Sequence, residues 1–479
     1  MPGNLKHGVA VLALLAALGG CSLAPDLEVP KPPVAGTWPD GPAYAGAGKA
    51  DAMSEELGWE AVFRPAPLKR LIKASLENNR DLRVAVLNVA AARASYGVAR
   101  SAQFPAVDAN GGRTRARTPA NLNSSGRIAT ATEYTANLGV TAFELDLFGR
   151  VRSLSDKALE TFFATAEAAS AARIALVAQV ADAWLAYETD RRELKLTRDT
   201  LEAQQKTYDL VLATFTHGIG SQLDVAQSRT SVETARANLA RYTRAVAQDR
   251  NALELLVGRP LTEADLACDA DDIAAFVAAP EAGLASDVLL RRPDIREAEH
   301  SLRAANANIG AARAAFWPSI SLTGTFGYAS TKLNGLFEGA QKAWTFAPGV
   351  SLPIFDAGMN FANLDAAKAE RDITIAQYEK AVQTAFREVA DSLAARKTLA
   401  EQLAAQSSLV EATQQSYDLS RARYSKGISS YLAVLDAQRS LYSAQESEID
   451  LQRQAQSNLV TLYKAMGGGE PPAPETLED

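Results

Sequence analysis

Two stretches of this chain repeat two others, and that duplication limits the folds available to it. Residues 80–105 align without a gap on 293–318, at an offset of 213. Asp81/Asp294, Arg83/Arg296, Gly97/Gly310, Arg100/Arg313 and Pro105/Pro318 are among the identities. Residues 207–258 align on 416–467 at an offset of 209, through Tyr208/Tyr417, Gly218/Gly427, Leu223/Leu432, Val225/Val434 and Gly258/Gly467. A period near 210 residues is far longer than a solenoid repeat. It implies two copies of one structural unit, side by side about a pseudo-symmetry axis.

The chain has 479 residues and a net charge of −7, which argues against a nucleic-acid partner. Three His and two Cys are too scattered for a metal cluster. Residues 1–20 read as an export signal whose apolar stretch, Val9 to Leu18, is too short to span a bilayer. Leu18-Gly19-Gly20-Cys21 resembles a bacterial lipobox, which implies cleavage before Cys21 and lipid on its sulfur. The alternative is an ordinary signal peptide with a chance cysteine. Ser22 after the cysteine implies, by the same resemblance, the outer membrane. No later run of about 18 apolar residues is expected to cross a membrane as a helix.

Residues 21–54, rich in Pro, Gly and Ala, read as an extended, poorly packed arm, and 469–479 as a loose tail. A first repeat is expected over 55–262, a link over 263–283 and a second repeat over 284–468. Asp269 to Asp272 in the link are read as solvent-facing. Most of both repeats is helical. A helix is expected over about 66–102. Residues 150–215 hold neither Gly nor Pro, which at 1.5 Å per residue allows a helix on the order of 100 Å. Residues 358–426 repeat that length, and 221–257 and 429–466 about half of it. Val225, Val232, Leu239, Val246 and Leu253 recur every seven residues, the spacing of coiled-coil packing.

Each repeat interrupts its helices with a strand hairpin, at about 104–148 and 317–356, opened by Pro105 and Pro318. Ile320, Leu322, Phe326 and Tyr328 alternate with Ser319, Ser321, Thr323 and Thr325. Trp344, Phe346, Val350 and Leu352 form the returning apolar face, as do Tyr134, Leu138 and Val140 in the first repeat. One apolar and one small-polar face is the pattern of a membrane β-barrel strand. Four strands cannot close around a lumen. Three copies would supply twelve and two would supply eight. Arg113, Arg115 and Arg117 alternate at the expected tip of the first hairpin. Three readings stay open for them: contact with lipopolysaccharide phosphates, lining of the outer mouth, or a solvated loop.

These features resemble the TolC/OprM-type outer-membrane efflux protein family, close to its lipidated branch. The carriers are the duplication, Phe104-Pro105 and Trp317-Pro318, the strand exits Leu145–Gly149 and Leu352–Gly358, and Tyr424-Ser425-Lys426-Gly427 with Tyr431–Arg439. The resemblance implies a mainly α fold with a membrane β-barrel portion: a homotrimer whose long helices form a tube and whose four strands per chain make a twelve-stranded barrel. It implies a passive exit duct in the outer membrane, reaching into the periplasm and fed by a periplasmic adaptor and an inner-membrane pump. No cofactor and no catalysis are expected, since no phosphate-binding loop and no nucleophile–base motif is present. A protein-secretion duct and a pore-free coiled-coil lipoprotein are the alternatives.

By the same resemblance, Leu432 and Asp436 face a periplasmic constriction, and threefold symmetry would make them an apolar and a carboxylate ring. The other reading of Asp436 is a solvated carboxylate paired with Arg439. Asp224 and Tyr424 match a latch that holds the closed state. Ser425 and Ser429 stand where some members carry Arg, with Lys426 the nearest substitute, so a salt-bridged part of that latch stays open. The turns at Gly218 to Ser221 and Gly427 to Ser430 are the expected adaptor docking points.

Overall fold

The computed structural model describes residues 22–44, 58–267, 276–278 and 286–469. The signal segment, Cys21, Cys268, Asp269 to Asp272 and the last ten residues lie outside the described residues. In chain order the principal elements are α1 (Ala66–Asn78), α2 (Arg80–Ser101), β1 (Asp108–Thr118), β2 (Ala129–Glu144), α3 (Arg150–Thr216) and α4 (Gln222–Val257). The second repeat follows with α5 (Pro293–Ala314), β3 (Ser319–Ser330), β4 (Lys342–Ser351), α6 (Met359–Ser425) and α7 (Tyr431–Ala465). α3 and α6 each run 67 residues without a Gly or Pro. Nothing in them removes a backbone donor or loosens the chain.

The chain divides into two compact units. The first holds, of the described residues, 22–31, 88–165 and 297–378 and is built on one antiparallel sheet in the order β1-β2-β3-β4. Leu138, Phe326 and Trp344 stand in register on one face, above Val140 and Phe346. Gly139, Thr325 and Thr345 stand on the other. The register shifts between Val140 and Phe143, where Ala142 takes φ 54° and its N–H donates to Thr323 Oγ1 at 3.1 Å. Such a bulge bends a strand and increases its twist.

β1 corrects the expected hairpin tip. Arg113, Arg115 and Arg117 lie within the strand, paired with Tyr134, Thr132 and Thr130, and the tip lies between Thr118 and Ala129. Asn110, Gly111 and Gly112 are poor strand formers, so pairing with β2 rather than propensity holds this segment extended. Beside the sheet, α5 packs on the start of α3. His300 Nδ1 lies 2.7 Å from Glu160 Oε2, and the His300 ring lies 5.3 Å from that of Phe163.

The second unit, within 32–87, 166–296 and 379–479, has a helical core. Trp184, Leu68, Leu71, Ile72, Leu253 and Phe276 are fully buried there. Each such side chain contributes about 1.5–3 kcal/mol by leaving water. α3 contains one stretch that passes for a membrane span by length and averaged composition alone. Ile174, Leu176, Val177, Val180 and Trp184 of α3 are instead part of this core.

The helix expected over 66–102 is broken at Asn79, whose ψ of 134° is extended. Asn79 Oδ1 accepts from the Leu82 N–H at 2.9 Å, starting α2 with a side-chain cap. Its Nδ2 donates to Leu256 O at 2.8 Å, satisfying a terminal carbonyl of α4. Gly258 ends α4 at φ 77°, and a Cβ there would lie 2.4 Å from Asn78 O. The second repeat makes the same joint with other chemistry: Arg292, aligned with Asn79, donates to Ala465 O, aligned with Leu256. The arm is also less loose than its composition implies. Arg313 and Asn306 of α5 donate to Leu23 O and Pro25 O at 3.1 and 2.8 Å, and Trp38 stacks on Phe386 at 4.9 Å. An extended Pro-rich segment leaves its carbonyls free to accept such bonds.

Candidate functional site

The expected gate and docking residues gather where α3 turns into α4 and α6 into α7. Both turns open on the same Gly-Ile pair in the same conformation. Gly218 has φ 77° and Gly427 φ 71°, the left-handed region in which a helix commonly ends. The Ile219 N–H returns to Thr214 O at 3.0 Å and the Ile428 N–H to Arg423 O at 2.9 Å. Ser221 caps α4, its Oγ accepting from the Asp224 N–H at 3.1 Å. Ser430 occupies the matching position on α7 without a side-chain cap bond. Arg423 Nε donates instead to Ser429 Oγ at 2.9 Å, within the turn itself. Ile219 is 83% exposed, and Ile428 and Leu223 are exposed beside it, so both turns present aliphatic side chains to solvent.

One face of α7 is buried: Tyr431, Val434 and Leu435 pack with Val211 of α3, with Val225, Tyr417 and Tyr424 around them. Leu432 and Asp436 lie on the opposite face, exposed and one helical turn apart. Among the described residues no ion pair joins Asp436 to Arg439, so the pairing of the alternative reading is not formed. The rings of Tyr424 and Tyr431 stand 5.4 Å apart. Burial and then the Asp224 carboxylate raise the Tyr424 hydroxyl above the ordinary phenol range. Burial followed by Tyr424, Tyr417 and Asp224 does the same to Tyr431. Asp224 thus lies within electrostatic reach of both phenols, but among the described residues no hydrogen bond joins it to either.

A second cluster in the same unit has no counterpart in the sequence reading. Asp190 and Glu193 of α3, Arg241 and Tyr242 of α4, and Glu446, Asp450 and Arg453 of α7 line a cavity of about 480 Å³. Tyr242 donates to Glu446 Oε1 at 3.0 Å, and Arg453 pairs with Asp450 at 2.9 Å. Glu193 is only 4% exposed and its Oε2 meets no donor. Burial and then the Glu446 carboxylate push it up to about 8. Burial, and then the neighbouring Asp190 carboxyl, raise Asp249 above the ordinary carboxylate range. The sequence signal was a set of carboxylates on helix faces that also carry core residues. It is faint because the partners come from three helices.

This cluster gives a pH dependence of stability. The unfolded Glu193 releases its proton near 4.5, whereas the native one holds it to about 8. The contribution is complete below about 4.5 and is lost as pH rises through about 8. Glu193→Gln is expected to flatten the fall in thermal midpoint between about pH 5 and pH 8.5, read by circular dichroism. An equal fall in both proteins would contradict this assignment.

Comparison with known proteins gives one consistent answer. The profile of the family described as "Outer membrane efflux protein" matches residues 71–259 and 284–468. The "Toluene efflux pump outer membrane protein TtgC" of Pseudomonas putida is 50% identical over 465 residues, covering 96% of this chain and 95% of that protein. The "Antibiotic efflux pump outer membrane protein ArpC" of Pseudomonas putida matches with the same identity and coverage. Among solved structures, the open state of the Neisseria gonorrhoeae MtrE outer membrane channel superposes with a TM-score of 0.84. It is 38% identical, covering 94% of this chain and 98% of that one.

Proposed function

The chain belongs to the outer membrane efflux protein family, and we propose that it is the outer-membrane exit duct of a tripartite efflux system, passive and trimeric, carrying small toxic molecules out of the cell. The observation that carries this reading is the sheet. One face is apolar and aromatic, with Trp344 74% exposed. The other is lined by Thr, Ser, Gly and Asn, and the two outer strands, β1 and β4, are left with open edges. An apolar band outside and small polar residues inside suit a sheet that borders lipid and water at once. Four strands need partners to close, and three copies give a twelve-stranded barrel.

The repeat supports the same assembly. α5 is packed on α3 within the chain, but α2, its counterpart, buries no residue and exposes Val84, Val86, Leu87 and Val98. By the pseudo-symmetry, the missing partner of α2 is the start of α6 from a neighbouring copy. Cys21 would carry the lipid, just before the arm residues that α5 holds. Leu432 and Asp436 would become an apolar ring and a three-carboxylate ring at the periplasmic constriction, where carboxylates favour cations. Asp224 and Tyr424 would latch that end shut. Gly218, Ser221, Gly427 and Ser430 shape the turns whose exposed Ile219 and Ile428 would meet a periplasmic adaptor, itself joined to an inner-membrane pump.

A pore-free spacer has no use for a two-faced sheet, and nothing favours catalysis. Deletion of the gene in its own host tests the reading against a protein-secretion duct. Cells are expected to become sensitive to small amphiphilic toxicants and to recover with a plasmid copy. Unchanged susceptibility together with loss of a secreted protein would favour the secretion duct.

A further inference from the structure

Resting on the outer-membrane reading, we propose that the outward face of β1 is a binding site for the phosphate groups of an anionic outer-leaflet glycolipid, with Arg113, Arg115 and Arg117 as its donors. The strand register assigns the face. Ala109 pairs with Leu138, which stands beside Phe326 and Trp344 on the apolar side. Side chains alternate along a strand, so residues 111, 113, 115 and 117 share that side with Ala109. The three arginines therefore lie outside the barrel and not in its lumen, and all three are exposed.

Their height matches the headgroup region. The apolar face runs from Ile320 paired with Val350, through Leu322, Phe326 and Trp344, up to Tyr328 paired with Lys342. Eight steps of about 3.4 Å cover roughly 27 Å along the strand, or about 20 Å of height at the 35–45° tilt of such strands. That height fills most of the apolar band of about 25 Å that such barrels present to lipid. The next outward row is Arg113 with Tyr134, then Arg115 with Thr132, then Arg117 with Thr130. The guanidinium of Arg113 lies 5.6 Å from the centroid of the Tyr134 ring, at the upper edge of the band.

The charge there is unopposed. None of the outward positions of the four strands is an Asp or Glu: Asp108 and Glu133 alternate onto the other face. β4, the strand that would close against β1 of the next copy, carries no acid at all and adds Lys342. Among the described residues no ion pair engages Arg113, Arg115 or Arg117. Alternate positions set the guanidinium stems about 7 Å apart in a row. Each fork can grip phosphate oxygens in a bidentate way. A lipid surface offers phosphates at this height with acyl chains below, against Phe326 and Trp344. A soluble anion would find only the upper half of that site.

The test uses the purified full-length protein in detergent, with bisphosphorylated lipid A and its dephosphorylated form as probes and native mass spectrometry as the readout. The variant is Arg113→Gln/Arg115→Gln/Arg117→Gln, with Arg127→Gln, a loop arginine off this face, as control. At about fivefold per arginine, the triple variant is expected to lose roughly a hundredfold in lipid A affinity. The control should bind as wild type, and the dephosphorylated lipid should bind both proteins equally weakly. Equal binding of lipid A to wild type and triple variant would overturn the proposal, as would equal binding of the two lipids to wild type. Channel formation by the triple variant in a planar bilayer separates the outcomes. An intact channel with unchanged lipid binding sinks this site and leaves the duct standing. A wild type that neither inserts nor conducts sinks both.

Discussion

Arg292→Met is expected to destabilise the helical unit by about 1–3 kcal/mol, the usual cost of leaving hydrogen-bonding groups without their buried partner. The Arg292 side chain is 5% exposed and makes four bonds. Nη1 donates to Ala465 O at 2.8 Å, Nε and Nη2 to the two Asp294 oxygens at 3.0 and 2.7 Å, and Nη2 to Glu388 Oε2 at 2.9 Å. Met fills the space and strands two carboxylates and a helix-terminal carbonyl. The duplication supplies the control. Asn79 performs the same capping of α4 with a neutral amide, and Glu388 aligns with Gln179. Arg292→Asn alone should therefore be costly, whereas Arg292→Asn with Glu388→Gln should recover much of the loss by copying the first repeat. Denaturant unfolding followed by circular dichroism reads both. A loss below about 1 kcal/mol for Arg292→Met would mean that the joint does not depend on its charge.

Asp436→Ala is expected to change conduction more than any other single substitution. If three copies bring their exposed faces of α7 around one axis, the variant removes three carboxylates from the narrowest ring. Cation preference should fall several-fold towards none and unitary conductance should rise, because attraction between charges is strong where the pore excludes bulk water. The side chain is free for this role: it is exposed, and among the described residues Arg439 does not pair with it. Leu432→Ser, one turn away, should raise conductance while leaving selectivity in place. Planar-bilayer recording distinguishes them. Unchanged selectivity in Asp436→Ala would move the constriction elsewhere.

Much of this architecture could be read from residue order. The long helices follow from stretches without Gly or Pro, and their observed ends, Thr216 and Ser425, fall at the Gly218 and Gly427 turns. The strands β2, β3 and β4 follow from strict alternation. β1 was not legible, because Asn110-Gly111-Gly112 and alternating arginines lack strand propensity and only pairing with β2 reveals them. The break at Asn79 was missed because the joint is made by an amide reaching Leu256, 177 positions away. The buried Glu193 was missed for the same reason: Tyr242 and Glu446 reach it from other helices. The exposed faces of α2 and of Leu432 and Asp436 are incomplete in one chain. In the proposed assembly these faces would meet other copies of the chain, which neither a single sequence nor a single chain contains.

Assembly is accordingly where the account stands or falls, and native mass spectrometry of the purified protein released from detergent measures it most directly. Three chains are expected, whose twelve strands close the sheet and whose α6 helices cover the bare α2 faces. Two chains, closing eight strands, or a single chain stable in detergent would contradict this assembly.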